Sequence, residues 1–462
     1  MAVRSAHGKT FLVQAPVLVV GAGACGLCAA LAARDAGADV LVLERDAVPR
    51  GDTGISGGFV PAALTEQQRR QGIDDSPERF AEDIWRMARG RTDEAYLRLI
   101  TRESAPTLEW LSRHGLTFQL TTDISYAGHS HQRMHAPPGG RGAGLAEALL
   151  VAARAAGARV VGGAETHDLF VDDERRVLGV SVRHADGRNE EIGCGALVLA
   201  SGGFGGDREL IDQYIPELRG AMFLGHTGNT GQALRWGLEL GAALADLGSY
   251  QGHGAVAHPH RFLVWDALAD GGIQVNDRAE RFGNEAQNNS EHARSVLAQP
   301  GGLAWNIYNE SGHRTAERTR GYQEAQRLNL VKKAVTVQLL AAITGLPFAT
   351  LSAALREVAT AHESGQPDRF GRSFVGASPL APPYYAIRVT AAFSHTQGGL
   401  VVDEQARVQR ATGGVFPNLF AGGGAARGLS GPSRWGYMAG NGLLTAVVLG
   451  RIAGTNAARL TA

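Results

Sequence analysis

The feature that most constrains this chain is a glycine triad between two hydrophobic segments. Residues 17–20 (Val-Leu-Val-Val) form a short apolar run, Gly21-Ala-Gly23-Ala-Cys-Gly26 follows at once, and residues 27–36 read as an apolar helix. A buried strand that ends in G-x-G-x-x-G and opens a helix is the phosphate turn of a dinucleotide fold. The first glycine makes the tight turn, the second lets the backbone approach a pyrophosphate, and the third lets the helix lie close on the strand. The helix N-terminus then presents unpaired N–H groups and a partial positive charge to the phosphates. Residues 39–43 read as the next strand and end at Glu44. That carboxylate, about twenty residues past the glycines, suits a ribose diol and repels a 2′-phosphate. The same β-α-β unit explains why residues 16–33, apolar enough to resemble a membrane span, carry three glycines and stop at Arg34-Asp35.

The 462 residues suffice for a two-domain enzyme. Lys plus Arg and Asp plus Glu both number 45, so charge gives no reason to expect a nucleic acid or an anionic membrane as partner. Three cysteines are too few for a disulfide framework and suit a reducing compartment. Cys25 and Cys28 have C-x-x-C spacing, but inside the glycine turn they read as structural rather than redox-active. No secretory signal is visible before the first apolar run, and the apolar run at residues 442–450 is too short to span a bilayer. A cytoplasmic protein is expected; its oligomeric state is not legible in these numbers.

Further along, residues 144–156 read as a helix, 160–161 and 177–183 as strand-like, and 197–200 as a buried strand running into Ser201-Gly-Gly203. Residues 250–394 change character, with longer polar and helical stretches that include 322–340 and 350–362. The strand pattern resumes at 399–402 and 418–421, and a last helix is expected over 442–453. The fold class expected is α/β: one Rossmann-like dinucleotide-binding domain, residues 1–249 and 395–462, interrupted by an inserted α+β cap domain, residues 250–394.

The choice of FAD over NAD rests on further glycine clusters. Gly51-Asp-Thr-Gly54-Ile-Ser-Gly57-Gly58 follows Glu44 and Arg45, and Gly202-Gly203 and Gly422-Gly423-Gly424 each follow a strand. An extended FAD needs such additional backbone contacts. The cofactor contacts expected from these clusters are Gly21, Gly23, Ala24, Cys25, Gly26, Glu44, Arg45, Thr53, Gly54, Ser56, Gly57, Gly58, Ser201, Gly202, Gly203, Gly422 and Gly423. No second complete G-x-G-x-x-G in a β-α-β unit is present, so electrons are expected to be exchanged with an external acceptor or oxygen.

Several strings resemble the soluble branch of the fumarate reductase and succinate dehydrogenase flavoprotein family, including 3-ketosteroid Δ1-dehydrogenases and tricarballylate dehydrogenase. They are the N-terminal fingerprint, Asn229-Thr-Gly-Gln232, Arg281-Phe-Gly-Asn-Glu285, His395-Thr-Gln-Gly-Gly399, and Gly431-Pro-Ser-Arg-Trp-Gly-Tyr-Met-Ala-Gly440 continuing to Gly450-Arg-Ile-Ala-Gly454. The resemblance implies a FAD-binding domain of the glutathione reductase type built from both chain ends, with Ala164, Thr230, Gly231, Gln232, Asn441, Gly442, Leu443 and Leu444 among its cofactor contacts, and a cap closing over the flavin. Where respiratory relatives attach FAD to a histidine, this chain has Asp52-Thr53-Gly54, so non-covalent FAD is expected.

The resemblance also implies site residues. His395 and Arg434 match residues that bind a substrate carboxylate, an arrangement suited to paired guanidinium hydrogen bonds. Tyr437 and the Gly440 N–H match an oxyanion hole that polarises a ketone. The helix after Asn441 is expected to aim its N-terminus at the flavin pyrimidine. At the family's acid/base position this chain has Asn289, and an amide exchanges no proton near neutral pH. Alternative bases are His253 with Tyr250, His292, and the segment that holds Tyr126, His129, His131, Arg133 and His135. No acid or cysteine at ligand spacing supports a metal there.

These observations imply α,β-desaturation next to a carbonyl of a small ketone, keto acid or carboxylate, with hydride passing to flavin N5. The alternatives are fumarate- or enoate-type reduction of a C=C bond by an external donor, and a flavin-binding electron-transfer subunit with no substrate of its own.

Overall fold

The computed structural model describes residues 2–122 and 126–462. The chain forms two compact units, one of Met1–Ile215, Gly225–Tyr250 and His395–Ala462, the other of Pro216–Leu224 and Gln251–Ser394.

The first unit is built on a sheet of nine strands among the described residues. Strand Val13–Val20 lies parallel between Val40–Leu43 and Asn189–Leu199, and Arg159–Val161 continues the parallel order beyond Val40–Leu43. Asn189–Leu199 serves two further partners. Its first half pairs antiparallel with Val177–His184, and its last residues pair parallel with Leu419–Ala421. Val17, Leu18 and Val19 are fully buried, as a parallel strand covered on both faces requires.

Helix Ala24–Asp35 is buried along almost its whole length, and it packs on the terminal helix Asn441–Thr461. The contact depends on small residues. A Cβ on Gly454 would sit 2.0 Å from the Ala29 carbonyl oxygen, and one on Gly450 would sit 2.4 Å from that of Cys25. The terminal helix therefore runs two turns beyond the expected residues 442–453, because its second half is still covering the first helix.

The second unit holds a six-stranded sheet among the described residues. Its long strand Tyr384–Thr396 pairs antiparallel with Leu303–Tyr308 and Lys332–Ala334, and Leu303–Tyr308 pairs antiparallel with Ile273–Val275. Helices Asn289–Leu297, Val337–Thr344 and Phe348–Ser364 accompany it, which makes this unit α+β. One expectation is corrected here. Residues 322–340 are not one helix but helix Arg320–Arg327, strand Lys332–Ala334 and helix Val337–Thr344. Asn329 at φ 55° ends the first helix, and the exposed edge of Tyr384–Thr396 takes Lys332–Ala334 as a partner. Tertiary pairing outweighed local helix propensity there.

Candidate functional site

The loops at the carboxyl ends of four parallel strands carry the residues expected to contact a dinucleotide, the position where open α/β sheets bind ligands. Gly21 follows Val20 at φ 101°, and a Cβ there would lie 2.4 Å from the Ala200 carbonyl oxygen. On Gly26 a Cβ would lie 1.8 Å from the Gly21 carbonyl oxygen, so the helix reaches the turn only because both positions are glycine. Glu44 follows Leu43 and is buried. Its Oε2 accepts from the Ala22 N–H at 2.7 Å and its Oε1 from Asp46 N–H at 3.0 Å. Ala164 N–H donates to the Glu44 carbonyl.

Helix Gly51–Ile55 supplies Thr53, whose Oγ1 accepts from the Ala24 N–H at 2.9 Å. Ser56 Oγ closes this segment by donating to the Thr53 carbonyl and accepting from Gly58 N–H, and the Ser56 carbonyl accepts from Gly142 N–H. Asp52, in the place of a flavin-linking histidine, accepts from His226 N–H at 2.7 Å and from the Asn229 amide. Arg45 Nη1 donates to the Gly228 carbonyl. Gly231 N–H donates to the Gly203 carbonyl, and Gln232 exchanges hydrogen bonds with Thr166. Thr230 N–H completes that loop on Gly228. Gly422 and Gly423 lie against Cys25, and a Cβ on Gly422 would be 2.6 Å from its Sγ.

The residues fit FAD. The strand-end loops meet with no room for side chains, and two polar groups at their centre are buried without protein partners. Ser201 Oγ and both polar atoms of the fully buried Asn441 side chain have no hydrogen-bond partner among the described residues. A polar cofactor edge satisfies such groups, which are otherwise costly. Leu444 is buried behind Asn441, and Leu443 packs against the same core.

On the same unit, His395, Tyr437 and Gly440 come together. The His395 and Tyr437 rings are 5.8 Å apart and nearly perpendicular, and a Cβ on Gly442 would touch the His395 ring at 2.8 Å. Gln397 donates its amide to His395 Nδ1 at 2.8 Å, and Ser430 Oγ donates to Gln397 Oε1 at 3.0 Å. With Nδ1 accepting, the ring proton sits on Nε2. Burial lowers the His395 pKa, with Asp52 and the Thr396 backbone pulling the other way, so the ring is a neutral N–H donor. Burial pushes the Tyr437 phenol up, and the Gly440 N–H, directed at its oxygen, works against that. Tyr437 is therefore a protonated hydroxyl at any physiological pH. Arg434 begins a short helical turn, with its guanidinium 5.9 Å from the Trp435 ring. Tyr126 lies with its ring 5.5 Å from Phe59. Gln397, Ser430 and Thr396, which takes the Phe204 N–H, were not singled out from sequence; only their place in or near quoted strings marked them.

His253 belongs to the second unit, where its Nε2 bonds Ser394 Oγ at 2.7 Å. Asn289 opens helix Asn289–Leu297 and its Oδ1 accepts from Gly254 N–H at 2.6 Å. His292 is buried between Trp265 and Phe282, bonded to Gln274, with burial lowering its pKa to about 4. The R-F-G-N-E string is an ion cluster: Arg281 bonds Glu285 and Asp368, and Arg372 bonds Glu285, all fully or almost fully buried.

The histidine-rich segment does not converge on one point. His135 is buried and bonded at both nitrogens, to Thr65 Oγ1 and the Arg133 carbonyl, with burial lowering its pKa to about 4. His131 bonds Ser130, 3.7 Å from Asp75. Only His129 turns toward the site, its Nε2 lying 3.1 Å from the Ala439 carbonyl oxygen. Among the described residues no group of histidine, cysteine and acidic side chains could hold a metal ion. Cys25 and Cys28 are buried free thiols, and burial raises the pKa of both. No helix among the described residues is long and apolar enough to cross a membrane.

The FAD binding domain family matches residues 16–443. The chain is 32% identical over 447 residues to the probable fumarate reductase Ifc3 of Shewanella frigidimarina (strain NCIMB 400), covering 96% of this chain and 74% of that protein. Among solved structures, the open conformation of a flavocytochrome c3 fumarate reductase superposes with a TM-score of 0.84 at 31% identity, covering 99% of this chain and 80% of that one. The 3-ketosteroid-Δ4-(5α)-dehydrogenase of Rhodococcus jostii RHA1 superposes with a TM-score of 0.81 at 25% identity, covering 99% and 100%. The chain therefore belongs to the FAD binding domain family and is an FAD-dependent oxidoreductase.

Proposed function

We propose that this enzyme acts on a C–C bond conjugated to a carbonyl, desaturating a small ketone, keto acid or carboxylate. The observation that carries the reading is Tyr437, a buried protonated phenol whose oxygen faces the Gly440 N–H, standing beside the neutral His395 ring. Donors held in that geometry stabilise the negative charge that gathers on a carbonyl oxygen when the adjacent carbon loses a proton. His395 Nε2–H and Arg434 hold a carboxylate or second oxygen where the substrate has one. The glycine loops, Glu44, Thr53, Ser201 and Asn441 hold FAD without a covalent link. Bound FAD supplies the two-electron partner for the hydride.

A second reading is reduction of a C=C bond by electrons from an external carrier. The same oxygen-binding groups serve that direction, and the fumarate reductase names of the relatives favour it. Asn289 gives neither reading a proton at the family's usual place. A third reading, an electron carrier without a substrate, is disfavoured by Tyr437, Gly440 and His395 standing together.

The test is anaerobic spectroscopy of the purified holoenzyme. Bleaching of the flavin band by cyclohexanone, succinate or another saturated carbonyl compound supports desaturation. Reoxidation of dithionite-reduced enzyme by fumarate, acrylate, urocanate or androst-4-ene-3,17-dione, without bleaching by any saturated compound, moves the assignment to reduction. No response to either set overturns both and leaves the carrier. Tyr437→Phe should lower kcat about 10²- to 10³-fold, the usual cost of losing one oxyanion donor.

A further inference from the structure

His129 is the member of the histidine-rich segment that the reading above does not use. Its Nε2 lies 3.1 Å from the carbonyl oxygen of Ala439. A carbonyl only accepts, so Nε2 carries the proton. Burial keeps the ring neutral, lowering its pKa to about 4; the Ala439 carbonyl, Asp83 and Asp75 pull it up and Arg133 pushes it down.

The acceptor is an informative peptide. Asn441 N–H donates to the Met438 carbonyl at 3.2 Å, closing a turn whose central residues are Ala439 and Gly440. Gly440 has φ 84° and ψ −14°, which makes this a type II turn. Types I and II differ by reversal of the central peptide, here the one joining Ala439 to Gly440, and glycine in the third position tolerates both. In a trans peptide the C=O and N–H point opposite ways. With the Ala439 oxygen held by His129, the Gly440 N–H faces the Tyr437 phenol oxygen. Reversal would turn that N–H away.

The latch is itself anchored. Ser130 donates its N–H and hydroxyl to Asp83 Oδ2 at 2.8 and 2.7 Å, and Arg133 clamps Asp83. Gly128 brings the segment hard against Met438, where a Cβ would meet Sδ at 2.9 Å.

We propose that His129 is a positioning residue: its Nε2–H holds the Ala439–Gly440 peptide in the type II orientation and so keeps the Gly440 N–H on the Tyr437 phenol oxygen, leaving that hydroxyl to donate to the substrate carbonyl oxygen. This rests on the oxyanion reading of Tyr437 and Gly440.

The test compares His129→Leu, which has no donor, with His129→Gln, whose amide can still donate, and with Tyr437→Phe. Kinetics use whichever of cyclohexanone, succinate, fumarate, acrylate, urocanate or androst-4-ene-3,17-dione turns over, and crystal structures of the FAD-loaded variants read the turn. Expected for His129→Leu is a kcat about 5- to 10-fold lower, the population shift one neutral hydrogen bond provides, with KM little changed. The peptide should be reversed in whole or part, and His129→Gln should restore both. If His129→Leu does not retain FAD, His129→Asn, too short to reach Ala439, takes its place. An unreversed peptide overturns the proposal whatever the rate does. A reversed peptide with unchanged kcat, while Tyr437→Phe is impaired, also overturns it and leaves Tyr437 in place. If Tyr437→Phe is unimpaired as well, the oxyanion reading itself fails.

Discussion

Removing the guanidinium of Arg133 should destabilise the first unit in a way that depends on pH. Arg133 is 1% exposed. It binds Asp75 through Nε and Nη2 at 2.7 and 2.8 Å, and Asp83 through Nη1 at 2.6 Å. Arg133→Met keeps most of the side-chain volume but leaves Asp75 to the Gln68 amide and Asp83 to Arg86 and Ser130, and breaking a buried pair this way costs about 3–5 kcal/mol. Asp83 gives an independent check. Burial opposes its ionisation, yet the Arg133 bond and the Ser130 hydroxyl and N–H outweigh it and lower its pKa from 3.8 to about 2. That drop is worth roughly 2.5 kcal/mol. A carboxyl with a depressed folded pKa stabilises above its unfolded value, and the contribution fades as pH falls toward 2. In the variant Asp83 loses the Arg133 guanidinium, so its folded pKa rises toward the unfolded value and this contribution shrinks. The gap between native and Arg133→Met stability should therefore be full above about pH 4 and narrow as pH falls toward 2. Urea unfolding of the holoenzyme, followed by tryptophan fluorescence at several pH values, measures it. A loss under about 1 kcal/mol at pH 7, or a gap that fails to narrow in acid, would refute the reasoning.

Other outcomes follow from the same structure. Gly454→Val should cost about 1–3 kcal/mol or more by overpacking against the Ala29 carbonyl, seen as a lower melting temperature. Glu285→Gln should destabilise the second unit by a similar roughly 3–5 kcal/mol, since it leaves Arg281 with Asp368 and the buried Arg372 guanidinium with the Gly272 carbonyl; limited proteolysis should then cut first within residues 251–394. Glu44→Ala should weaken FAD retention about tenfold or more, measured as flavin fluorescence released on dilution, because one charge-assisted contact is lost. Iodoacetamide at pH 8 should leave Cys25, Cys28 and Cys194 unmodified in the native protein and alkylate all three in denaturant, as their burial raises each thiol pKa.

The sequence by itself determined the dinucleotide frame. Short-range physics sets the strand, turn and helix from Val17 to Asp35: an apolar run, glycines where a Cβ collides with Ala200 and Gly21, and a carboxylate one strand later. The same locality made the α/β class and the terminal helix readable. The pairing of Lys332–Ala334 with Tyr384–Thr396 was not readable, because so short a strand is chosen by its partner, and residues 322–340 were misjudged as one helix for that reason. The site divided along the same line. Tyr437, Gly440 and His395 were legible as residue types in strings. Only the tertiary structure decided which nitrogen of His395 carries its proton, because Gln397 and Ser430 set it through space. It likewise decided that, of three neighbouring histidines, His135 closes a core, His131 meets the surface and His129 reaches Ala439, 310 residues away along the chain. A side chain's direction depends on what packs around it, and no local spacing encodes that.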